Sequence, residues 1–444
     1  MKASHSLDRI RVAFDDANLT ADAGLVLAGT LAGRLGLHDL ISSHVHLVPG
    51  PGAAKPGDKA MTVISSALAG GEYIDDVDVL RSGRTRQVLG HGVAAPSTVG
   101  TFLRRFTWGH ARQLDHVSGD LLARGWQAGA GPGAHPFTID VDSTICETYG
   151  LQKQGGSRFT YTKVRGYHPL LAVAAGTSDV LHSRLRGGPA NSGRGAAGFI
   201  TETFNRVRAA GATGQLTLRA DSGFYSGKVV KACRSAEARF SITVRLNRTL
   251  RAAIASVPDD GWISIPYWLD GAADVAETRY VPFGKRGTPV RLIVRRVEPT
   301  PGSQLAFAGL AYTYHAFITD RDGDTLELEA DHRRHAEVEN TIRDLKYGMG
   351  LNHLPSGRFA ANAAWIAFNV MAHNLTNWVV RIGLHQTLCA TKTVRRQLFS
   401  MPGRIAWSGR QFTLHLPLGW PWRKQFVSAL ENLRSLPAAP ALPM

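Results

Sequence analysis

The sequence has few cysteines and no long uninterrupted apolar run. Its three cysteines, Cys146, Cys233 and Cys389, are far apart in a chain of 444 residues. This spacing excludes a C-x-x-C zinc site and argues against a disulfide framework, so we expect a reducing compartment. The longest apolar stretch, 360–380, is repeatedly interrupted by Asn, His and Thr, and the N-terminus lacks the apolar segment of a signal peptide. We therefore expect a cytoplasmic protein with no membrane span.

Positive charge is in excess. The chain has 51 Lys and Arg against 35 Asp and Glu, a formal net charge of +16. A basic balance of this size indicates a polyanionic partner, of which nucleic acid is the usual one. A GC-rich genome that inflates surface arginine gives the same balance, so charge alone leaves both explanations open.

Two segments rich in proline and glycine, 49–58 and 128–136, interrupt the chain, and the second separates two differently patterned regions. Helical periodicity dominates before it, and alternating strands and helices follow it, which predicts a mixed α/β sheet. We divide the chain into a mainly helical region at 1–130, an α/β region at 137–246, a β-rich insertion at 247–314, a second α/β part at 315–385 and a basic C-terminal segment at 386–444.

One predicted helix in the N-terminal region, Ser97–Phe106, has the character of a recognition helix. Its apolar residues would face a core, while Arg104 and Arg105 would face outward, as in a helix-turn-helix that contacts DNA. Adjacent arginines are also common on an ordinary solvated face, and the pattern does not decide between the two.

Acidic residues end two apolar strands. Asp140 and Asp142 are two apart in FTIDVDST, so their side chains share one face of a strand. Asp221 ends LTLRAD and precedes Ser222 and Gly223. Each acid alone reads equally as a turn or helix-capping aspartate. Together, at the ends of neighbouring strands, Asp142 and Asp221 would come within range of one divalent cation such as Mg²⁺.

A third acid lies on a predicted helix at 331–347. Val338, Ile342 and Leu345 form its apolar stripe, and Glu339, Arg343 and Lys346 lie on a neighbouring polar face that also includes His332 and His335. Taken alone, this pattern is typical of a solvated helix with ion pairs between successive turns.

The segments DVDST, KVRGYHPLLA, RADSGFYS and HRRHAEVENTIRDLKYGMGLNHLPS together resemble the DDE-type transposases of bacterial insertion sequences, over nearly the whole chain. The resemblance implies a ribonuclease H-like mixed sheet with flanking helices, interrupted by a β-rich insertion and preceded by a mainly helical DNA-binding region. It also implies that Asp142, Asp221 and Glu339 are the catalytic metal ligands, with Mg²⁺ as the cofactor and Mn²⁺ as a substitute.

The family's last helix carries the motif Tyr-x-x-Arg-x-x-x-Glu-x-x-x-x-x-x-Lys, in which Arg and Lys contact DNA phosphates. Glu339 and Lys346 fit this spacing, whereas His332 and His335 stand at the Tyr and Arg positions, so that Arg333 or Arg334 is the substitute for the arginine. The candidate DNA contacts are Lys346, Arg343, Arg334, His335, Lys163, Arg165, Arg104 and Arg105.

The reaction implied by the resemblance is cutting of double-stranded DNA at terminal inverted repeats and joining of the freed ends to target DNA. A homodimer is expected in the DNA complex because two ends must be joined, and a bacterial protein of this type would be associated with the nucleoid when bound. A catalytically silent repressor and a nuclease without strand transfer are the alternatives. The C-terminal segment, with its tryptophans among cations, suits DNA contact, a partner subunit or simple packing.

Overall fold

The structure is a computed structural model that describes residues 7–150, 153–266, 272–284, 287–299, 311–387 and 389–439. Helices form the N-terminal part, as the sequence predicts. Helix α3 shows why: Pro56 begins it at a position where no backbone donor is needed, and Gly70 ends it in the left-handed conformation. The helices before the sheet are α1 (Val26–Arg34), α2 (Leu37–His44), α3 (Pro56–Ala69), α4 (Thr85–Leu89), α5 (Pro96–Arg104) and α6 (Trp108–Gly125). A 3-10 segment covers Ile74–Arg81.

The remaining helices flank the sheet or cover the C-terminal part. They are α7 (Ala196–Ala209), α8 (Gly227–Ser235), α9 (Arg248–Ala255), α10 (Thr325–Arg333), α11 (Glu337–Gly348), α12 (Phe359–Leu384), α13 (Thr391–Val394) and α14 (Arg423–Ser435).

The long helix α12 is buried along most of its length, and the N-terminal helices α1, α3, α5 and α6 pack around it. Its polar residues have specific partners. Asn374 accepts a hydrogen bond from the backbone of Val180 at 2.8 Å and donates one back at 2.9 Å. These bonds satisfy backbone groups on the outer strand of the main sheet, which would otherwise be unpaired there.

The strands form three sheets. In chain order they are β1 (Leu19–Thr20), β2 (Phe137–Ser143), β3 (Cys146–Glu147), β4 (Arg158–Phe159), β5 (Arg165–Tyr167), β6 (Leu170–Ala174), β7 (Val180–Arg184), β8 (Leu216–Ala220), β9 (Arg239–Val244), β10 (Ile263–Ile265), β11 (Ala273–Tyr280), β12 (Val290–Val297), β13 (Thr313–Thr319), β14 (Gly403–Ser408) and β15 (Gln411–His415). The main sheet has nine strands in the order β10-β11-β12-β13-β9-β8-β2-β6-β7.

Five of these strands, in the order β7-β6-β2-β8-β9, form the centre of the fold. The pairs β2/β6 and β6/β7 are antiparallel, and β2/β8 and β8/β9 are parallel. Helix α8 connects the parallel pair β8 and β9, and helix α7 connects β7 at the edge to β8, on the other side of β6 and β2. This is the ribonuclease H-like arrangement, so the predicted fold class is confirmed.

The β-rich insertion continues the same sheet. Strand β13 pairs antiparallel with β9 through Ala316 opposite Val244, and β12, β11 and β10 follow in turn. A small second core of Val275, Ile293, Phe317 and Leu328 packs helix α10 onto this part of the sheet. The strand-like runs predicted at 262–269 and 305–314 extend outside the described residues.

One predicted strand is wrong. The strand-like pattern of TKVRGYHPLLAVAAGT, residues 162–177, predicts one continuous strand, but the run divides into β5, which belongs to a small sheet with β3 and β4, and β6, which belongs to the main sheet. The division falls at His168 and Pro169. Proline has no backbone donor, and its carbonyl instead accepts from the backbone N–H of Thr144 at 3.1 Å. The chain therefore changes sheets at this point.

The predicted helix at 331–347 is also modified. Asp324 caps a helix that begins earlier, at Thr325, and an irregular 3-10 turn at Arg334–Ala336 separates α10 from α11. His332 and Glu339 are therefore on different helices. His332 is stacked on Phe317, with a ring separation of 4.0 Å.

The C-terminal segment packs against the N-terminal helices. Strands β14 and β15 form a sheet with β1, and α14 lies against α12, where Asn432 donates a hydrogen bond to the carbonyl of Gly383 at 2.9 Å. Among the described residues, no single helix is long and apolar enough to cross a membrane; helices Ala23–Arg34 and Leu37–His44 pass that test only as a pair, bent by 54°.

Candidate active site

Asp142 and Asp221 lie side by side. The parallel register places Val141 opposite Ala220, so the two aspartates occupy the next positions on β2 and directly after β8. Both strands are buried up to this point, because the sheet is covered by helices. The sheet therefore fixes two carboxylates at the carboxyl ends of its two central parallel strands, where α/β proteins bind ligands.

Each aspartate is oriented by one backbone hydrogen bond. Asp142 Oδ1 accepts from the N–H of Ser143 at 2.6 Å, and Asp221 Oδ1 accepts from the N–H of Gly223 at 3.0 Å. The second oxygen of each carboxylate has no hydrogen-bond partner within the part of the chain that the structure describes. Both carboxylates therefore keep an oxygen available for a ligand.

Glu339 lies on a helix that packs beside the sheet. Its helix, α11, contacts β2 and buries Val338 and Ile342, and Glu339 itself is on the exposed side. Burial raises the pKa of Asp142 to about 6, and the negative charges of Asp221 and Glu339 act in the same direction. Asp142 is thus within electrostatic range of both Asp221 and Glu339.

Asp140, on the same face of β2 as Asp142, has a different environment. Its side chain is 2% exposed and accepts hydrogen bonds from Arg219 Nε at 2.7 Å and Nη2 at 2.8 Å, and from His335 Nδ1 at 2.8 Å. Arg219 also contacts Asp331. Asp140 is therefore fully paired. Sequence reasoning did not single out Arg219, although a charged residue within an apolar strand is a usable signal.

A second layer of polar residues lies beside the aspartates. His168 Nδ1 donates to the carbonyl of Ala190 at 2.6 Å, and its Nε2 accepts from Ser143 Oγ at 2.9 Å. Ser143 Oγ is also 3.0 Å from Ser192 Oγ. Burial lowers the pKa of His168, which favours the neutral ring that this arrangement requires. These contacts hold the end of β2, and the sequence analysis missed them.

The predicted DNA contacts on α11 and the turn before it differ in exposure and in their bonding partners. Arg334 is exposed and pairs with Glu337 at 3.0 Å, and Arg343 is exposed and bonded to Asn340. Lys346 is half-buried on the same helix. His335, in contrast, is bonded to Asp140 and is directed into the protein.

The other predicted contacts lie elsewhere. Lys163 and Arg165 belong to the hairpin of β4 and β5. Arg104 ends α5 and is exposed, but Arg105 donates hydrogen bonds to the carbonyls of Val48 and Pro49, at 2.6 and 3.0 Å. Arg105 thus holds a loop of the N-terminal region.

A separate cluster, formed by Asp115, His182 and Glu202, has ligand atoms within 4.8 Å of one another, the one such group among the described residues. Three guanidinium groups surround it, those of Arg112, Arg184 and Arg206. The cations outnumber the carboxylates, so this cluster is an ion-pair network rather than a cation site. Asp142, Asp221 and Glu339 do not form such a close group.

A ribonuclease H-like sheet with aspartates side by side at its central strand ends defines a class of metal-dependent enzymes that act on nucleic acids. The family described as transposase DDE domain group 1 matches residues 2–438, and the chain belongs to this family. It is a DNA transposase, an enzyme that cuts and joins DNA with divalent metal ions. Among solved structures, the chain is similar to a piggyBac transposase in a synaptic complex with hairpin DNA, determined by cryo-EM, at 12% identity and a TM-score of 0.46, over 85% of this chain and 79% of that one. No curated protein matches the sequence.

Proposed function

We propose that Asp142, Asp221 and Glu339 are the ligands of the catalytic metal ions, and that these ions are Mg²⁺, with Mn²⁺ as a substitute. The observation that supports this most directly is a contrast in pairing. Asp140 forms a direct ion pair with Arg219 and accepts a hydrogen bond from His335, whereas none of the three proposed ligands has a direct ion-pair contact with a residue that the structure describes. Oxygen donors without cationic partners suit a hard divalent cation.

The residues of this chain supply the geometry. Ser143 and Gly223 orient the two aspartates through their backbone N–H groups, and α11, which contacts β2, would bring Glu339 to them. The bound ions would lower the pKa of a nucleophilic water and stabilise the leaving oxygen, as in two-metal enzymes whose ions lie roughly 3.5–4 Å apart. Carboxylates that bind two metal ions can lie farther from one another than carboxylates that all bind a single ion.

The substrate of this proposal is double-stranded DNA at the terminal inverted repeats of an insertion sequence. Water attacks a phosphodiester at the element end, the P–O bond to the 3′ oxygen breaks, and a 3′-hydroxyl is released. That hydroxyl then attacks a phosphodiester of target DNA and displaces its 3′ oxygen. One phosphodiester replaces another, so the joining step needs no nucleotide cofactor. Two ends must be held together, which favours a homodimer in the DNA complex.

The proposed phosphate contacts near the site are Lys346, Arg343 and Arg334 on one side, and Lys163 and Arg165 on the other. Of these, Arg334 and Arg343 are exposed and bonded only to neighbours on their own helix or turn, so they can exchange those bonds for phosphate oxygens. Arg104 is the corresponding candidate in the N-terminal region, with Arg105 in a supporting position.

The experiment uses a plasmid that carries the DNA flanking the gene, with cleavage and joining measured separately. Asp142→Asn, Asp221→Asn and Glu339→Gln should each abolish both reactions while DNA binding persists, because each change keeps shape and removes the charge that Mg²⁺ requires. Glu337→Gln is the matched control on the same helix, and it should stay active. Retained cleavage in any of the three variants would contradict the ligand assignment. If the wild type cleaves DNA but does not join it, the protein is a nuclease. If the wild type binds DNA but does not cleave it, the protein is a silent repressor.

A further inference from the structure

A short hairpin projects beside the acidic site. It consists of β4, β5 and the turn between them, residues 158–167, and Phe159 pairs with Arg165 across it. On its other side β5 pairs with β3, which follows β2 by only a few residues. The hairpin is therefore attached at both ends to the chain segments that carry and support Asp142.

The tip of this hairpin is internally bonded. Thr160 donates its side-chain hydroxyl to the carbonyl of Val164 at 2.9 Å and lies 3.0 Å from the hydroxyl of Thr162, while Lys163 adopts a left-handed conformation with φ of 63°. The backbone of Thr160 also bonds to Val164 at 2.9 Å. The tip is thus held in one conformation, and Tyr161 is presented from a fixed backbone.

Exposed aromatic rings stand among cations on this hairpin. Tyr161 is 77% exposed and Phe159 is 64% exposed, and the guanidinium of Arg165 lies 5.6 Å from the Phe159 ring. The hairpin has no acidic residue, and its cations are Arg158, Lys163 and Arg165. Two exposed rings beside three cations, with no acidic residue, form a surface that suits a partner with flat apolar faces and negative charge.

The position of Tyr161 relates it to the acidic site. Its ring centre is 5.7 Å from that of His168, and His168 is bonded at 2.9 Å to Ser143, the residue after Asp142. The negative charge of Asp221 also acts on His168. Tyr161 therefore lies two side chains away from the proposed metal ligands.

We infer that this hairpin binds single-stranded DNA at a cut end, with the ring of Tyr161 stacked on an unpaired base and Lys163 and Arg165 on the adjoining phosphates. The inference rests on the proposed function, since it requires DNA to lie across the three carboxylates. Base stacking on an aromatic ring tolerates any sequence because every base has a flat apolar face. Such a contact would keep an opened end from re-pairing while its phosphate is in the site.

The test is a binding measurement with the full chain in a chelating buffer, so that no cleavage occurs. The probes are a synthetic duplex with a single-stranded overhang that contains 2-aminopurine, and a blunt duplex of the same paired sequence. The wild type should quench the 2-aminopurine fluorescence and prefer the overhang. Tyr161→Ala should reduce affinity for the overhang about 5- to 100-fold, the range of one base–aromatic stack, and leave binding of the blunt duplex unchanged.

Two further variants make the result specific. Tyr161→Phe keeps the ring and should keep the preference, and Phe412→Ala removes a comparably exposed ring, 51% exposed, from the distant β14–β15 hairpin and should have no effect. The inference is overturned if the wild type shows no preference, if Tyr161→Phe loses as much as Tyr161→Ala, or if Tyr161→Ala alters the oligomeric state instead. Failure of the ligand assignment would appear separately, as cleavage that persists in Asp142→Asn.

Discussion

The side chain of His335 donates a hydrogen bond of 2.8 Å to the buried carboxylate of Asp140. The two residues lie 195 positions apart in the sequence. Asp140 precedes Asp142 by two residues on β2, and His335 precedes Glu339 by four, just before α11. The bond therefore connects the strand of one proposed metal ligand to the helix of another.

Removal of this bond should slow the chemistry more than it weakens the fold. We expect His335→Ala to lower the rate of DNA cleavage by about 100-fold, the loss that a displacement of about 1 Å at an active site can cause. DNA-end binding should change little, because His335 is directed away from solvent. Single-turnover cleavage and DNA binding are measured side by side. A loss of binding with an unchanged cleavage rate would instead assign His335 to phosphate contact, as the family motif suggests.

Arg219 should be necessary for stability. Its replacement by Met leaves the carboxylate of Asp140 buried with only His335 as a partner, and breaking a buried ion pair in this way costs about 3–5 kcal/mol. The free energy of unfolding in urea measures the loss. Arg334→Met is the control, since its pair with Glu337 is exposed and such pairs contribute less than about 1 kcal/mol. Equal losses in the free energy of unfolding of the two variants would show that the Arg219–Asp140 pair does not stabilise the fold more than an exposed pair does.

The stability of the metal-free protein should depend on the charge of Asp142. Its pKa rises from 3.8 to about 6 on folding, so the folded protein holds the proton more tightly than the unfolded chain. Stability therefore falls as the pH rises from about 4 to about 6 and stays lower above that range. Asp142→Asn should have a higher melting temperature than the wild type at pH 8, and the difference should vanish near pH 4. A difference that is constant across this range would remove the charge explanation.

Magnesium should make the wild type more stable than Asp142→Asn, the reverse of the order expected without metal. A ligand that binds only the folded state stabilises it by mass action, so Mg²⁺ should raise the melting temperature of the wild type but not that of Asp142→Asn or Asp221→Asn. Glu337→Gln should respond as the wild type does. Thermal unfolding over a series of Mg²⁺ concentrations provides the comparison, and equal shifts in all variants would indicate that the ions bind elsewhere.

DNA binding should weaken steeply with salt, because neutralised phosphates release counterions. Replacement of Lys163 by Ala should reduce the slope of log affinity against log salt by about one, the value expected for one phosphate contact. Lys231→Ala removes an equal charge from the exposed side of α8, a crossover helix that flanks the sheet, and should leave the slope unchanged. A change of equal size in both variants would mean that the hairpin has no special role in phosphate binding.

Much of this architecture follows from local patterns. Asp142 and Asp221 each end an apolar strand, and the rule that parallel strands end at one edge of a sheet brings them together. What local patterns did not give are the long-range partners. His335 was assigned to phosphate on the spacing of a motif, yet it bonds to Asp140, because the irregular turn at Arg334–Ala336 directs it inward. The strand-like run 162–177 includes the second half of the hairpin, because the pattern remains strand-like across His168 and Pro169.

The insertion is not a separately tethered module. Strand β13 is hydrogen-bonded in register to β9, and β9 to β8, whose end carries Asp221. A displacement of the insertion would therefore be transmitted through the hydrogen bonds of the sheet to Asp221, a proposed metal ligand, rather than taken up at a hinge. Deleting residues 247–314 would remove β10, β11 and β12 and would leave β13, whose residues 316–319 pair with β9, as the exposed edge of the sheet.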